Sequence, residues 1–124
     1  GLPNYNTVRA FFRLPPVQSV EQITNDTETQ IALLQAYGEV NSIDPWIGML
    51  AEDHVPGASV GPTLHRIISQ QFEMLRDADR FWYQLLFRGK DLAGIESTKL
   101  SNVIYRNTDV RLMQRNVFVT PLGQ

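Results

Sequence analysis

The stretch "GPTLHRIISQQFEMLRDADRFWYQLLF", residues 61–87, is the longest in the chain with helical periodicity, and its reading decides the fold. Gly61-Pro62 is a start signal, because proline at the first helical position gives up an N–H that has no intrahelical partner there. Gly89 reads as the stop. A helix from Pro62 to Leu86 would hold 25 residues and extend about 37 Å at about 1.5 Å per residue. At about 100° per residue, Leu64, Ile68, Phe72, Leu75, Trp82 and Leu86 fall in one narrow sector. Asp79 falls in it too. A carboxylate among apolar side chains must lose its charge or be satisfied by hydrogen bonds and an opposite charge. Arg76 and Trp82 lie three positions to either side of Asp79, and Arg80 and Asp77 can pair along the flank. The spacing predicts a buried polar hub of Asp79, Arg76, Arg80 and Trp82, structural in role.

The remaining segments also read as helices. Asn4 is the expected N-cap of a first helix that places Val8 and Phe11/Phe12 on one side and ends at Pro15-Pro16. Ser19 and Gln22 fit a capping box for a short helical turn. Asn25 or Asp26 caps the next helix, with Ile31, Leu34 and Tyr37 as its stripe and Gly38 as terminator. Asp44-Pro45 opens another, with Trp46, Met49 and Leu50 on one face. Beyond Gly89, two weaker helices are expected with Asp91 and Ser101 as caps, followed by a short β-prone run, "NVFVTP", at 116–121. The fold class is all-α, and residues 1–124 read as a single helical unit without repeats or linkers.

Composition agrees with a folded globular chain: of 124 residues, 43% are hydrophobic and 19% charged, with a net charge of −2. That balance excludes an overall electrostatic footprint for nucleic acid or an anionic membrane. Residues 1–60 carry −5 and residues 61–124 carry +3, a polarity suited to docking the two halves. Without cysteine there are no disulfides, thiolate ligands or cysteine nucleophile. No apolar run approaches the roughly 20 residues of a membrane-spanning helix. Gly1 in place of methionine suggests a processed or excised piece, and "NDT" at Asn25 matches the glycosylation acceptor pattern.

Tests for chemistry return little. Glu52, Asp53 and His54, with Asp44 upstream, could offer ligands to a divalent ion, but their spacing fits no metal motif, and a polar cluster at a helix end accounts for them. His65 precedes Ser69 by one helical turn without a group to orient the base. Neither histidine is marked as a haem ligand. Gly57 and Gly61 lack the spacing of a phosphate loop. Arg106, Arg111 and Arg115, interleaved with Tyr105 and Phe118, make a thin phosphate-binding case in an acidic chain.

Four stretches together resemble a known family: "GLPNYNTVRAFFRLPP" at 1–16, "YGEVNSIDPWIGMLAEDHVPG" at 37–57, "VGPTLHRIISQQFEMLRDADRFWY" at 60–83 and "LSNVIYRNT" at 100–108. In order and spacing they are similar to the C-terminal end of animal-type haem peroxidases, the superfamily of myeloperoxidase and peroxidasin. The resemblance implies a mostly helical fold around a buried haem, with hydrogen peroxide as oxidant and halides or small organic donors as reductants. It also implies extracellular placement and a role in oxidative-stress responses. The family's proximal histidine with its carboxamide partner, and its distal histidine and arginine, precede the motif that begins at Gly1. Catalytic, haem-binding and metal-binding residues are therefore expected in an upstream portion or companion chain, and none here. The competing expectation is a freestanding helical interaction module without haem chemistry.

Overall fold

A computed structural model describes residues 1–119, and among these every regular element is helical. None is long and apolar enough to cross a membrane. The chain divides into two compact units, Gly1–Ala78 and a second beginning at Asp79.

The first unit opens with α1 (Tyr5–Phe11), where the Asn4 side chain accepts from Thr7 N at 2.8 Å as the sequence predicts. Its buried face is Tyr5, Asn6 and Arg9 rather than the expected Val8 and Phe11 side, and Phe11 is 80% exposed. Burying polar groups is tolerable only when each is bonded. Asn6 meets that condition by donating from Nδ2 to Val17 O at 2.9 Å while its Oδ1 accepts from Val17 N at 2.9 Å. A 3-10 turn, Val20–Gln22, follows, but no capping box forms at Ser19. Gln22 instead accepts from Gln18 N at 2.6 Å, one residue upstream of the box position.

Helix α2 (Thr27–Tyr37) is capped by Asp26, which accepts from Thr29 N at 3.0 Å, and ends at Gly38 with φ 74°, a conformation glycine adopts without steric cost. Its one buried residue is Leu33, while Ile31 and Leu34 of the predicted stripe are exposed. A second 3-10 turn, Val40–Ser42, leads to α3 (Pro45–Ala51), capped by Asp44 through Trp46 N at 2.9 Å. Here Pro45 and Gly48 face inward, whereas Trp46 and Leu50 face out. The apolar core consists of Tyr5, Val17, Val20, Ile23, Leu33, Val40 and Ile43, with Tyr37, Met49 and Ala51 packed on it. Tyr5 N donates to Ile43 O at 3.0 Å and Asp53 N to Ile23 O at 3.0 Å, so backbone bonds also close this core.

Helix α4 spans Pro62–Ala78, not Pro62 to Leu86. Asp79 is the reason. Its carboxylate accepts from Phe81 N at 2.8 Å and its carbonyl from Trp82 N at 3.0 Å, a local turn that competes with continued helix.

In the second unit, α5 (Tyr83–Leu86), α6 (Gly89–Ser97) and α7 (Leu100–Asn107) follow one another. Gly89 opens α6 instead of only stopping the preceding helix, and Asp91 lies in the first turn of α6 instead of capping it. Ser101 is inside α7, buried, and donates to Arg115 O at 3.0 Å rather than acting as cap. Among the described residues from Asp79 on, Ser101 is the only buried one. Residues 117–119 of the β-prone run form turn and bend, Asn116 has no regular structure, and Thr120 and Pro121 lie outside the described residues.

With Asp79 as the helix breaker, Asp79→Leu should let the amphipathic pattern run on toward Leu86. Ellipticity at 222 nm should grow more negative than in the parent chain; an unchanged spectrum would assign the break to another cause.

Candidate functional site

A buried carboxylate hub does exist in this chain, centred on Glu52. Glu52 follows the last residue of α3 and is 4% exposed. Its Oε1 accepts from Tyr5 OH at 2.6 Å and from Arg9 NH1 at 2.8 Å, and also from the Thr63 hydroxyl. Its Oε2 accepts from Thr63 N at 2.7 Å. Four donors therefore converge on one carboxylate, and both of its oxygens are satisfied.

The Thr63 N contact has a further consequence. Position 61 before Pro62 is a glycine, which offers no capping oxygen, so the start of α4 has no cap of its own. Glu52 supplies that oxygen from the end of α3 and places negative charge at the positive end of α4. Arg9 completes the hub. Its Nε donates to Pro15 O at 2.9 Å, and its NH1 also reaches Thr63 Oγ1 at 3.0 Å and Tyr5 OH at 3.3 Å. Among the described residues no buried side-chain nitrogen or oxygen lacks a partner.

Two glycines make room for the hub. A Cβ on Gly61 would lie 2.2 Å from Glu52 Cβ, and one on Gly48 would lie 2.5 Å from the Tyr5 ring. The cavity beside Glu52, lined also by His54, Leu64 and Met49, measures about 40 Å³. That suits about one water and no substrate. The hub is a clamp joining α1, the end of α3 and the start of α4.

The residues predicted to form the hub stand elsewhere. Asp79 is exposed and holds the turn described above. Arg76 Nε pairs with Asp77 Oδ1 at 2.8 Å on an exposed surface, an interaction that lowers the Asp77 carboxyl and raises the Arg76 guanidinium from their ordinary values. The Arg80 guanidinium lies 4.5 Å from the centre of the Phe81 ring, and Trp82 Nε1 donates to Gln84 Oε1 at 3.1 Å. No buried hub forms around Asp79 among the described residues, because its carboxylate is spent on a surface turn. The Glu52, Asp53, His54 group also separates: Glu52 turns inward, while Asp53 accepts from Thr24 Oγ1 at 2.7 Å and from Asn25 Nδ2 at 2.6 Å. The Thr24 hydroxyl, with the Asn25 backbone N–H after it, lowers the Asp53 carboxyl from its ordinary value. No group of three or more acidic, histidine or cysteine side chains is placed to hold a metal among the described residues.

Comparison with known proteins sets these elements in a family. The animal haem peroxidase family model matches residues 1–118, and the chain belongs to that family. It is 41% identical over 119 residues to peroxinectin A of Dictyostelium discoideum, an overlap of 95% of this chain and 22% of that protein. To human eosinophil peroxidase it is 36% identical over 123 residues, 95% of this chain and 17% of the relative. Among solved structures, peroxidase A from Dictyostelium discoideum superposes with a TM-score of 0.77 at 38% identity, covering 94% of this chain and 23% of that one. Fatty acid alpha-dioxygenase from Oryza sativa gives 0.70 at 27% identity over 86% of this chain and 18% of that one. The chain thus spans less than a quarter of the length of these relatives.

Haem is the group this family is named for. His54 and His65 are both exposed. The 40 Å³ cavity beside His54 is far too small for a porphyrin, and two larger ones, about 660 Å³ at the start of α7 and about 540 Å³ between α2 and α3, contain no histidine.

Burial first, then the hydrogen bond and charge of Glu52, push the Tyr5 phenol well above its ordinary value. As pH rises the unfolded chain gives up this proton before the folded one. The hub's contribution is therefore complete below about pH 10 and declines above it. Tyr5→Phe should show a shallower loss of urea midpoint than the parent as pH rises above about 10; parallel profiles would mean Tyr5 does not carry the alkaline loss.

Proposed function

We propose that this chain forms the C-terminal helical section of a haem peroxidase domain and supports the haem-bearing portion, its two compact units acting within that one domain. The assembled enzyme would use hydrogen peroxide to oxidise halides or small organic donors, in an extracellular setting. One observation carries this reading. The family match runs through residues 1–118, yet the buried carboxylate and guanidinium among the described residues, Glu52 and Arg9, are held by each other, Tyr5 and Thr63 in the clamp. A clamp with every partner satisfied holds helices in place and has no free group for acid, base or ligand work. Exposed apolar side chains such as Phe11, Trp46, Phe72 and Leu85 favour a section of a larger body over a freestanding module.

Haem, when bound to the assembled domain, would supply the site of peroxide reduction. This chain's contribution would be to fix α1, α3 and α4 as a rigid support. Titrating the 124-residue chain with haemin should give no Soret shift characteristic of histidine ligation and no peroxide turnover above that of free haemin. Addition of the remaining part of the domain should bring both. A histidine-type Soret band from the 124-residue chain alone, abolished by His54→Ala or His65→Ala, would contradict the proposal.

A further inference from the structure

We propose that Asn25 is an attachment site for an N-linked oligosaccharide, added when the chain enters a secretory compartment. This rests on the extracellular setting of the reading above. Asn25, Asp26 and Thr27 make the acceptor triplet, with no proline in the middle. Such triplets arise often by chance, so the case turns on where this one stands in the fold. Its three residues and Glu28 after them form an unbroken exposed run. Asn25 precedes Asp26, the N-cap of α2, and Thr27 is the first residue of that helix, so the triplet lies on the turn leading into it. That turn is tied to the end of α3. Asn25 N donates to Asp53 Oδ2 at 2.9 Å, and the hydroxyl of buried Thr24 donates to Asp53 Oδ1 at 2.7 Å. Asn25 Nδ2 also donates to Asp53 Oδ2, at 2.6 Å. A carboxamide nitrogen carries two protons. One serves Asp53 and the other can be replaced by a sugar carbon, so the contact and the modification coexist.

The surroundings of Asn25 belong in water. Asp26 and Glu28 follow it on the exposed run, Asp53 touches it, and His54 beside Asp53 is exposed as well. The Thr29 hydroxyl first, then its N–H, lowers the Asp26 carboxyl from its ordinary value, as Thr24 and Asn25 do for Asp53. Both carboxyls are therefore charged at neutral pH. Taking three carboxylates out of water without opposite charges is costly, and the centres of protein contact surfaces are accordingly poor in them. A neighbouring part of the domain gains nothing by covering this corner, whereas a hydrated glycan stands there without displacing a packed side chain. The chemical step needs one co-substrate, an oligosaccharide carried on a polyprenyl diphosphate. Its anomeric carbon forms a bond to Asn25 Nδ2 while the bond from that carbon to the diphosphate oxygen breaks. Nδ2 gives one proton to a base of the transferase, and the lipid diphosphate leaves with the electron pair.

The test takes the longer polypeptide that joins this segment to the rest of the domain, secreted and folded from a eukaryotic cell. Digestion with peptide N-glycosidase in heavy-oxygen water converts a glycosylated asparagine to labelled aspartate, which mass spectrometry reads on the peptide holding position 25. Most molecules should carry the label. Thr27→Ala, which leaves Asn25 and its bonds to Asp53 in place, should abolish it, and Thr27→Ser, which keeps a hydroxyl, should retain it. Unlabelled Asn25 in the secreted parent would overturn the proposal. An equally strong label in Thr27→Ala would do so too, since spontaneous deamidation would then account for it. A markedly higher urea midpoint for Thr27→Ala than for the glycosylated parent would also count against the site, because the sugar would then be displacing a segment that covers this corner. The functional reading fails separately. A polypeptide labelled at position 25 that turns over no peroxide when loaded with haem would defeat that reading and keep the site.

Discussion

A carboxylate that leaves water must be met by donors, and in this chain that requirement is concentrated on Glu52. Its two oxygens accept from Tyr5 on α1, Arg9 on α1 and both the hydroxyl and backbone N–H of Thr63 on α4. Because Glu52 itself ends α3, the consecutive helices α3 and α4 meet at one carboxylate with α1, which is distant from both in sequence. The glycine contacts follow from the same constraint: Gly61 and Gly48 leave the space that Glu52 and the Tyr5 ring occupy. Arg9 adds a tie to the Pro15 carbonyl, holding the segment after α1 in place.

That clamp changes what the apolar residues have to accomplish. Seven apolar side chains form the buried core of the described residues, all of them in the first unit. A chain of this length can in principle bury a self-sufficient core, yet Phe11, Trp46 and Phe72 remain largely in water. The polar network ties α1, the end of α3 and the start of α4 together beside the apolar core, and these apolar faces stand exposed. Membership of the animal haem peroxidase family, in which this chain matches less than a quarter of its relatives' length, is consistent with that division.

Much of the fold was legible in the sequence wherever the signal was local. Asn4, Asp26 and Asp44 cap the helices they were expected to cap, and Gly38 ends α2 with a positive φ. These features depend on two to four neighbouring residues. The buried faces were not legible, because periodicity finds the apolar side of a helix and cannot tell whether its partner lies within the chain. On α1 it selected Val8 and Phe11, where the structure buries Asn6 and Arg9. The site was hidden for a related reason. Glu52 lies 47 positions from Tyr5 and 43 from Arg9, and no local pattern links them. One signal was available: α4 begins at Gly61-Pro62 without a capping side chain, and an acidic residue ends the helix before it. Asp79 attracted attention because it interrupts an apolar sector, but an interrupted sector can equally mean that the helix stops, as it does here.

The most direct test of the clamp is a double-mutant cycle on Arg9 and Glu52, read from urea unfolding of the 124-residue chain. Arg9→Met and Glu52→Leu should each cost on the order of 3–5 kcal/mol, since either leaves a buried charge without its partner. Combined, they should cost far less than the sum, giving a coupling of a few kcal/mol. Additivity to within about 0.5 kcal/mol would show that the two residues act independently and that the helices are held together by something else.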